Sequence, residues 1–181
     1  MSDLPTIKQA LERAVKTVAL RPERGQRAYS NTATIDSGLL CHVEEADRSL
    51  TLDMPKALGG ADAGPNPSMI LRSAMSGCVA IGVKQFAARR DVPVDRIEVT
   101  VETDLDARGQ LGVSEDITPG FGRTRLHIVV TSSSPAQVIQ DIVEEAVKYS
   151  PLVDVFGRPQ PLEHRISAIR PGAAAKSEEM A

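Results

Sequence analysis

Two thiols, three imidazoles and one glycine-rich loop are the groups in this chain that could do chemistry. Cys78 stands inside "NPSMILRSAMSGCVAIGVKQFAARR", residues 66–90, and Cys41 stands in "GLLCHVEEA". A thiolate is a strong nucleophile, but a free thiol ionises only near pH 8.5, so a reactive cysteine needs help from its surroundings. Cys78 is the candidate nucleophile. The competing reading is an inert, buried residue, since free cysteine packs as a small hydrophobe. Cys41 shares one side of a strand with Leu39 and Val43, which reads as core packing. A Cys41–Cys78 disulfide needs Cα atoms within about 7 Å, which the sequence leaves open. His42, His127 and His164 stand singly, without a His-x-x-x-His pair, so no metal site is expected. The pairs Glu44-Glu45 and Glu144-Glu145 read as solvated faces. "LGGADAGPNP" lacks the Lys-Ser/Thr ending of a phosphate loop, so it reads as a tight turn that positions the next helix. No cofactor is expected.

The helix that carries Cys78 starts well. Asn66 suits the N-cap and Pro67 the first helical position, while Asp91 and Pro93 end it. At about 100° per residue, Leu71, Ala74, Met75, Ile81, Gly82 and Gln85 share the face of Cys78. That face is apolar. Arg72 and Lys84, each six residues away, lie about 120° round the helix. An activating cation must therefore come from another segment or a second subunit. The middle of the helix is small: Ser73, Ala74, Ser76, Gly77, Ala80 and Gly82. Each interior Gly costs roughly 1 kcal/mol against Ala, so the two predict close approach by another backbone and a deeply packed central helix.

Other elements follow from periodicity. Residues 3–18 alternate at helical spacing through Ile7, Leu11, Ala14, Val15 and Val18, with Asp3 as cap and Pro22 past the end. "RPERGQRAYS" is a polar linker. "NTATIDSGLLCHVEEA" reads as two strands about the turn Asp36-Ser37-Gly38, and residues 49–54 as a third. "RIEVTVETDLD" and "RLHIVVTSS" are strands separated by a loop over residues 107–123. "SPAQVIQDIVEEAVKYS" is a helix capped by Ser134, opened by Pro135 and closed by Pro151. "LEHRISAI", residues 162–169, is the last strand. The order α-β-β-β-α-β-β-α-β makes an α+β domain with antiparallel sheets.

Composition bounds the function. The chain has 181 residues, 3% aromatics and a formal net charge of −3. One domain with an aliphatic core is expected. No basic excess supports nucleic-acid binding, no apolar run approaches the roughly 20 residues of a membrane span, and the first residues are not a secretory signal. Two cysteines make no disulfide framework. The expectation is a soluble cytoplasmic protein with reduced thiols.

"LGGADAGPNPSMILRSAMSGC", "AARRDVPVDRIEVTVETDLDARG" and "YSPLVDVF" together resemble segments of the OsmC and Ohr family, osmotically inducible protein C and organic hydroperoxide resistance protein. The resemblance covers about residues 31–169. Residues 1–30, an N-terminal helix and linker, and residues 170–181 lie outside it; the polar, Ala-rich composition of the latter reads as a disordered tail. The resemblance implies an OsmC-like fold with a central buried helix in an intertwined homodimer, with sites at the interface. Its catalytic members are thiol peroxidases in which one cysteine attacks an organic hydroperoxide and a second resolves the sulfenic acid. An arginine held by a glutamate activates the first thiol. Cys78 falls at the attacking position. The second cysteine is replaced by Ser150, before Pro151. The glutamate is replaced by Ser68. The first hairpin, about Thr34 to Gly38, has no arginine; Arg24 and Arg27 lie upstream.

Two readings follow. In one, Cys78 makes the protein a one-cysteine, thiol-dependent peroxidase for organic hydroperoxides, with an external thiol as reductant. In the other, the protein is a non-catalytic dimer whose interface binds a small apolar ligand.

Overall fold

Asp3 and Asn66 open the two long helices. The structure is a computed structural model that describes residues 3–170. The Asp3 carboxylate accepts the Thr6 N–H at 3.0 Å and starts α1, Leu4–Leu20. The Asn66 side chain accepts the Met69 N–H at 2.9 Å and starts α2, Pro67–Arg89, with Pro67 in the first turn. Each satisfies a donor that the first turn of a helix leaves unpaired.

Between them lies an antiparallel sheet in the order β1-β2-β3: Thr32–Thr34, Cys41–Glu45 and Arg48–Leu52. The second sheet is one long hairpin of β4, Arg96–Leu105, and β5, Phe121–Thr131. Clean alternation puts Ile97 and Val99 of β4 with Ile128 and Val130 of β5 on the inner face. Val79, Val83 and Ala87 of α2 pack there with Ile142 and Ala146 of α4, Ala136–Lys148. An Arg90–Glu145 ion pair of 2.5 Å joins the ends of α2 and α4.

The loop after β3 has a specific lock. Asp53 is 2% exposed. Its carboxylate accepts the N–H groups of Met54, Ala61 and Ala63 at 2.7, 2.9 and 3.1 Å. A Cβ on Gly60 would lie 1.8 Å from the Met54 carbonyl oxygen, so only glycine fits. Gly59 takes φ of +88°, which glycine adopts at no steric cost. The tight turn expected for this loop is present, and it delivers the chain to Asn66.

Four expectations are corrected. Pro151 does not merely end a helix: it opens another, α5, Pro151–Gly157, with Ser150 as N-cap. The α4 helix begins at Ala136 with Pro135 at the cap and no side-chain cap from Ser134. The expected final strand over 162–169 has no sheet partner; Leu162 and Ile166 are 88% and 84% exposed. Alternation makes a strand only where an edge offers unpaired N–H and C=O groups, and among the described residues no strand pairs with the segment. The expected loop over 107–123 holds a turn of helix, α3, Ala107–Gln110, and β5 begins within it at Phe121. The expected tail over 170–181 lies outside the described residues beyond Arg170.

The packing of α2 also differs from expectation. Its buried stripe is Met75, Val79, Val83 and Ala87 at spacings of four. Of the face assigned to Cys78, Met75 is buried, but Leu71 and Ile81 are 37% and 61% exposed. A Cβ on Gly77 would meet nothing within 4 Å, and one on Gly82 would make ordinary contact with Ala146 at 3.6 Å. Among the described residues, no backbone presses on these glycines.

Candidate active site

Cys78 sits mid-way along α2, half-buried, where the junction between α4 and α5 crosses the helix. Its Sγ lies 3.3 Å from the Ser150 hydroxyl oxygen. Ser150 is 4% exposed. The same oxygen accepts the Val153 N–H at 3.4 Å as the cap of α5. The serine is fixed from both sides, because Pro151 in the first turn and the cap bond define where α5 begins. A hydroxyl has one proton to give. With its oxygen accepting from Val153, that proton is available to the sulfur. Once the sulfur is an anion, the serine can only be the donor.

The resemblance sets Ser150 at the place expected for a second cysteine, and the structure brings its hydroxyl to the sulfur of Cys78. It does not bring the other candidates there. Arg72 donates to the Thr103 hydroxyl on β4 at 3.2 Å, and Lys84 donates to the Val94 carbonyl at 2.6 Å. Both are engaged elsewhere than at Cys78. Ser68 lines a separate hollow of about 270 Å³ at the start of α2, with Arg72, Leu58 and Leu105. Arg24 belongs to a hollow beside α1, and Arg27 Nε donates to the Arg24 carbonyl at 3.4 Å. Among the described residues, no side-chain cation makes a hydrogen bond to Cys78.

Cys41 is half-buried on β2, opposite Leu52, and both cysteines are free thiols. The His42 Nδ1 shares a 3.3 Å contact with the Thr51 hydroxyl. His127 faces Thr100 across the hairpin, and His164 lies in the exposed segment after α5. Among the described residues, no group of three His, Cys, Asp or Glu could hold a metal ion, and no helix is long and apolar enough to cross a membrane.

Asp53 was missed by sequence reasoning. The signal was there: a lone carboxylate at a strand end, before Gly59-Gly60, where turning backbone presents free N–H groups. The Ala63 N–H first, then those of Met54 and Ala61, hold its carboxyl below the usual carboxylate range against the opposing effect of burial. Its role is to fix the loop that aims α2.

The chain is an α+β protein whose long cysteine-bearing helix packs on an antiparallel hairpin. Residues 59–165 match the model of the OsmC-like protein family. The chain belongs to the OsmC-like family. Among curated protein sequences none matches it. Solved structures share its fold. An OsmC-like protein from Mycoplasma pneumoniae superposes with a TM-score of 0.63 at 17% identity, covering 73% of this chain and 89% of that one. An organic hydroperoxide resistance protein from Elizabethkingia anophelis gives 0.54 at 25% identity, over 72% and 88%. An organic hydroperoxide resistance protein from Legionella pneumophila gives 0.54 at 22% identity, over 72% and 91%.

Proposed function

We propose that this OsmC-like protein is a one-cysteine, thiol-dependent peroxidase for organic hydroperoxides, with Cys78 as the attacking residue. The observation that carries the reading is the Cys78–Ser150 contact. A half-buried sulfur stands 3.3 Å from a buried, doubly fixed hydroxyl, rather than among hydrocarbon alone. The fold shared with organic hydroperoxide resistance proteins supports the same reading.

The Cys78 thiolate attacks the terminal oxygen of ROOH; an S–O bond forms, the O–O bond breaks, and the alkoxide leaves as the alcohol after taking a proton. Sulfur is oxidised by two electrons to the sulfenic acid. Ser150 donates its hydrogen bond to the sulfur anion and keeps it oriented. It cannot form a disulfide, so resolution falls to an external thiol. That thiol displaces water to give a mixed disulfide, and a second thiol releases Cys78. Excess peroxide drives the sulfenic acid to sulfinic acid, which is rarely reversed.

The working unit is a homodimer. Leu71 and Ile81 of α2 are exposed in one chain, as are Leu162 and Ile166, and large apolar side chains gain by being covered. A second copy covers these surfaces and encloses the thiol. Sedimentation should show a dimer at micromolar concentration, and a well-folded monomer would contradict this. For the activity, hydroperoxide consumption with dithiothreitol should be catalytic and absent in Cys78→Ser. Equal consumption by the variant would refute it and favour a ligand-binding dimer.

A further inference from the structure

The first 30 residues carry six basic and three acidic side chains, a balance of +3, in a chain whose net charge is −3. The fold gathers four of those cations. The α1 helix ends at Leu20, and the Arg21 N–H closes it by donating to the Thr17 carbonyl at 2.9 Å. Pro22 cannot continue the helix. The chain folds back in a tight turn, Pro22–Gly25, that packs on α1; a Cβ at Gly25 would lie 3.0 Å from Val18 Cγ1. Arg21 and Arg24 thereby return beside Arg13 and Lys16. Together with Thr17 and Leu20 they line a hollow of about 350 Å³.

Nothing on the described surface neutralises that hollow. Glu12 and Glu23 share its elements, but among the described residues none of the four cations makes an ion pair. The other two bases of the segment are engaged: Lys8 pairs with Asp91, and Arg27 donates to the Arg24 carbonyl. Like charges held close repel one another. The volume falls within the roughly 300–1,000 Å³ of small-molecule sites. Guanidinium forks match the oxygens of a phosphate group, and a lysine adds a point charge. Leu20, 71% exposed, offers an apolar edge beside them.

We propose that this hollow is an anion site that takes a phosphate or pyrophosphate group carried by a small molecule. It lies outside the segment that matches the family model, residues 59–165, and does not depend on the chemistry of Cys78. Three of the cations are arginines, which favours a multivalent oxyanion over a single carboxylate.

The test is calorimetric titration of the full chain with inorganic pyrophosphate at low salt. Saturable binding at one site per chain is expected, weakening as salt rises. The double variant Arg21→Gln, Arg24→Gln should bind at least about tenfold more weakly, the loss of charged hydrogen bonds. The charge-matched control Arg48→Gln, Arg123→Gln, on the two sheets, should bind as the parent does. If the double variant loses its thermal transition, Lys16→Gln carries the same expectation. No saturable binding overturns the proposal, as does an equal loss in the control. A parallel arm uses vesicles of phosphatidylcholine with phosphatidylserine. Binding to these without binding to free pyrophosphate would replace the pocket with a membrane-surface helix.

Discussion

Replacing Ser150 with alanine separates two roles that one oxygen plays. The hydroxyl bonds the sulfur of Cys78 at 3.3 Å and accepts the Val153 N–H at 3.4 Å. A hydrogen bond to a charged group contributes about 1.5–3 kcal/mol. At 4% exposure the site leaves little room for water to take the serine's place. If the bond acts on the sulfur anion during attack, its loss slows that step roughly ten- to a hundredfold. The cap is a separate matter. Removing an N-cap oxygen costs about 1 kcal/mol, which in a chain of this size lowers Tm by about 2–4 °C. The assay is single-turnover oxidation by tert-butyl hydroperoxide in stopped flow, well below the transition temperature, with calorimetry alongside. A fall in Tm with a rate within twofold of the parent would show that Ser150 is only a cap, and the proposed role at the sulfur would be wrong.

Two further variants test the site and the loop that aims α2. Ser150→Cys should form an intrachain disulfide with Cys78 after one equivalent of peroxide, seen as a loss of two hydrogens by intact mass; two thiols persisting would mean that the 3.3 Å contact does not place the sulfurs for bonding. Asp53→Asn should lower Tm at neutral pH, because the amide has one acceptor oxygen where the carboxylate uses two for its three N–H bonds. The native carboxyl is depressed, so its contribution is complete above the unfolded value near about pH 4 and is lost as pH falls through the folded value. Parent and variant melting curves should therefore converge in acid, and a constant gap would contradict the account.

What the sequence made legible was local. Asp3, Asn66 and Pro67 act within four residues of themselves, so composition sufficed to place both helix starts. The alternation of Ile97, Val99 and Val101 fixed β4 because one face meets a core. The position of Ser150 came from resemblance, but its hold on Cys78 is a contact across 72 residues that no local pattern encodes. Asp53 escaped for the same reason: its partners lie up to ten residues on, in a loop whose path sequence does not give. Pro151 carried two meanings, stop and start, and only the Val153 N–H finding the Ser150 oxygen decides for a start. The segment 162–169 has strand alternation without a strand, because pairing needs a neighbour as well as a pattern.

The central claim is that Cys78 is a peroxide-reactive sulfur, and intact mass spectrometry tests it most directly. The parent protein receives one equivalent of an organic hydroperoxide in the presence of dimedone, with Cys78→Ser treated alongside. The account predicts one dimedone adduct per chain in the parent, mapped to Cys78, and none in the variant. An unchanged parent mass, with Cys78 still reduced, would contradict it.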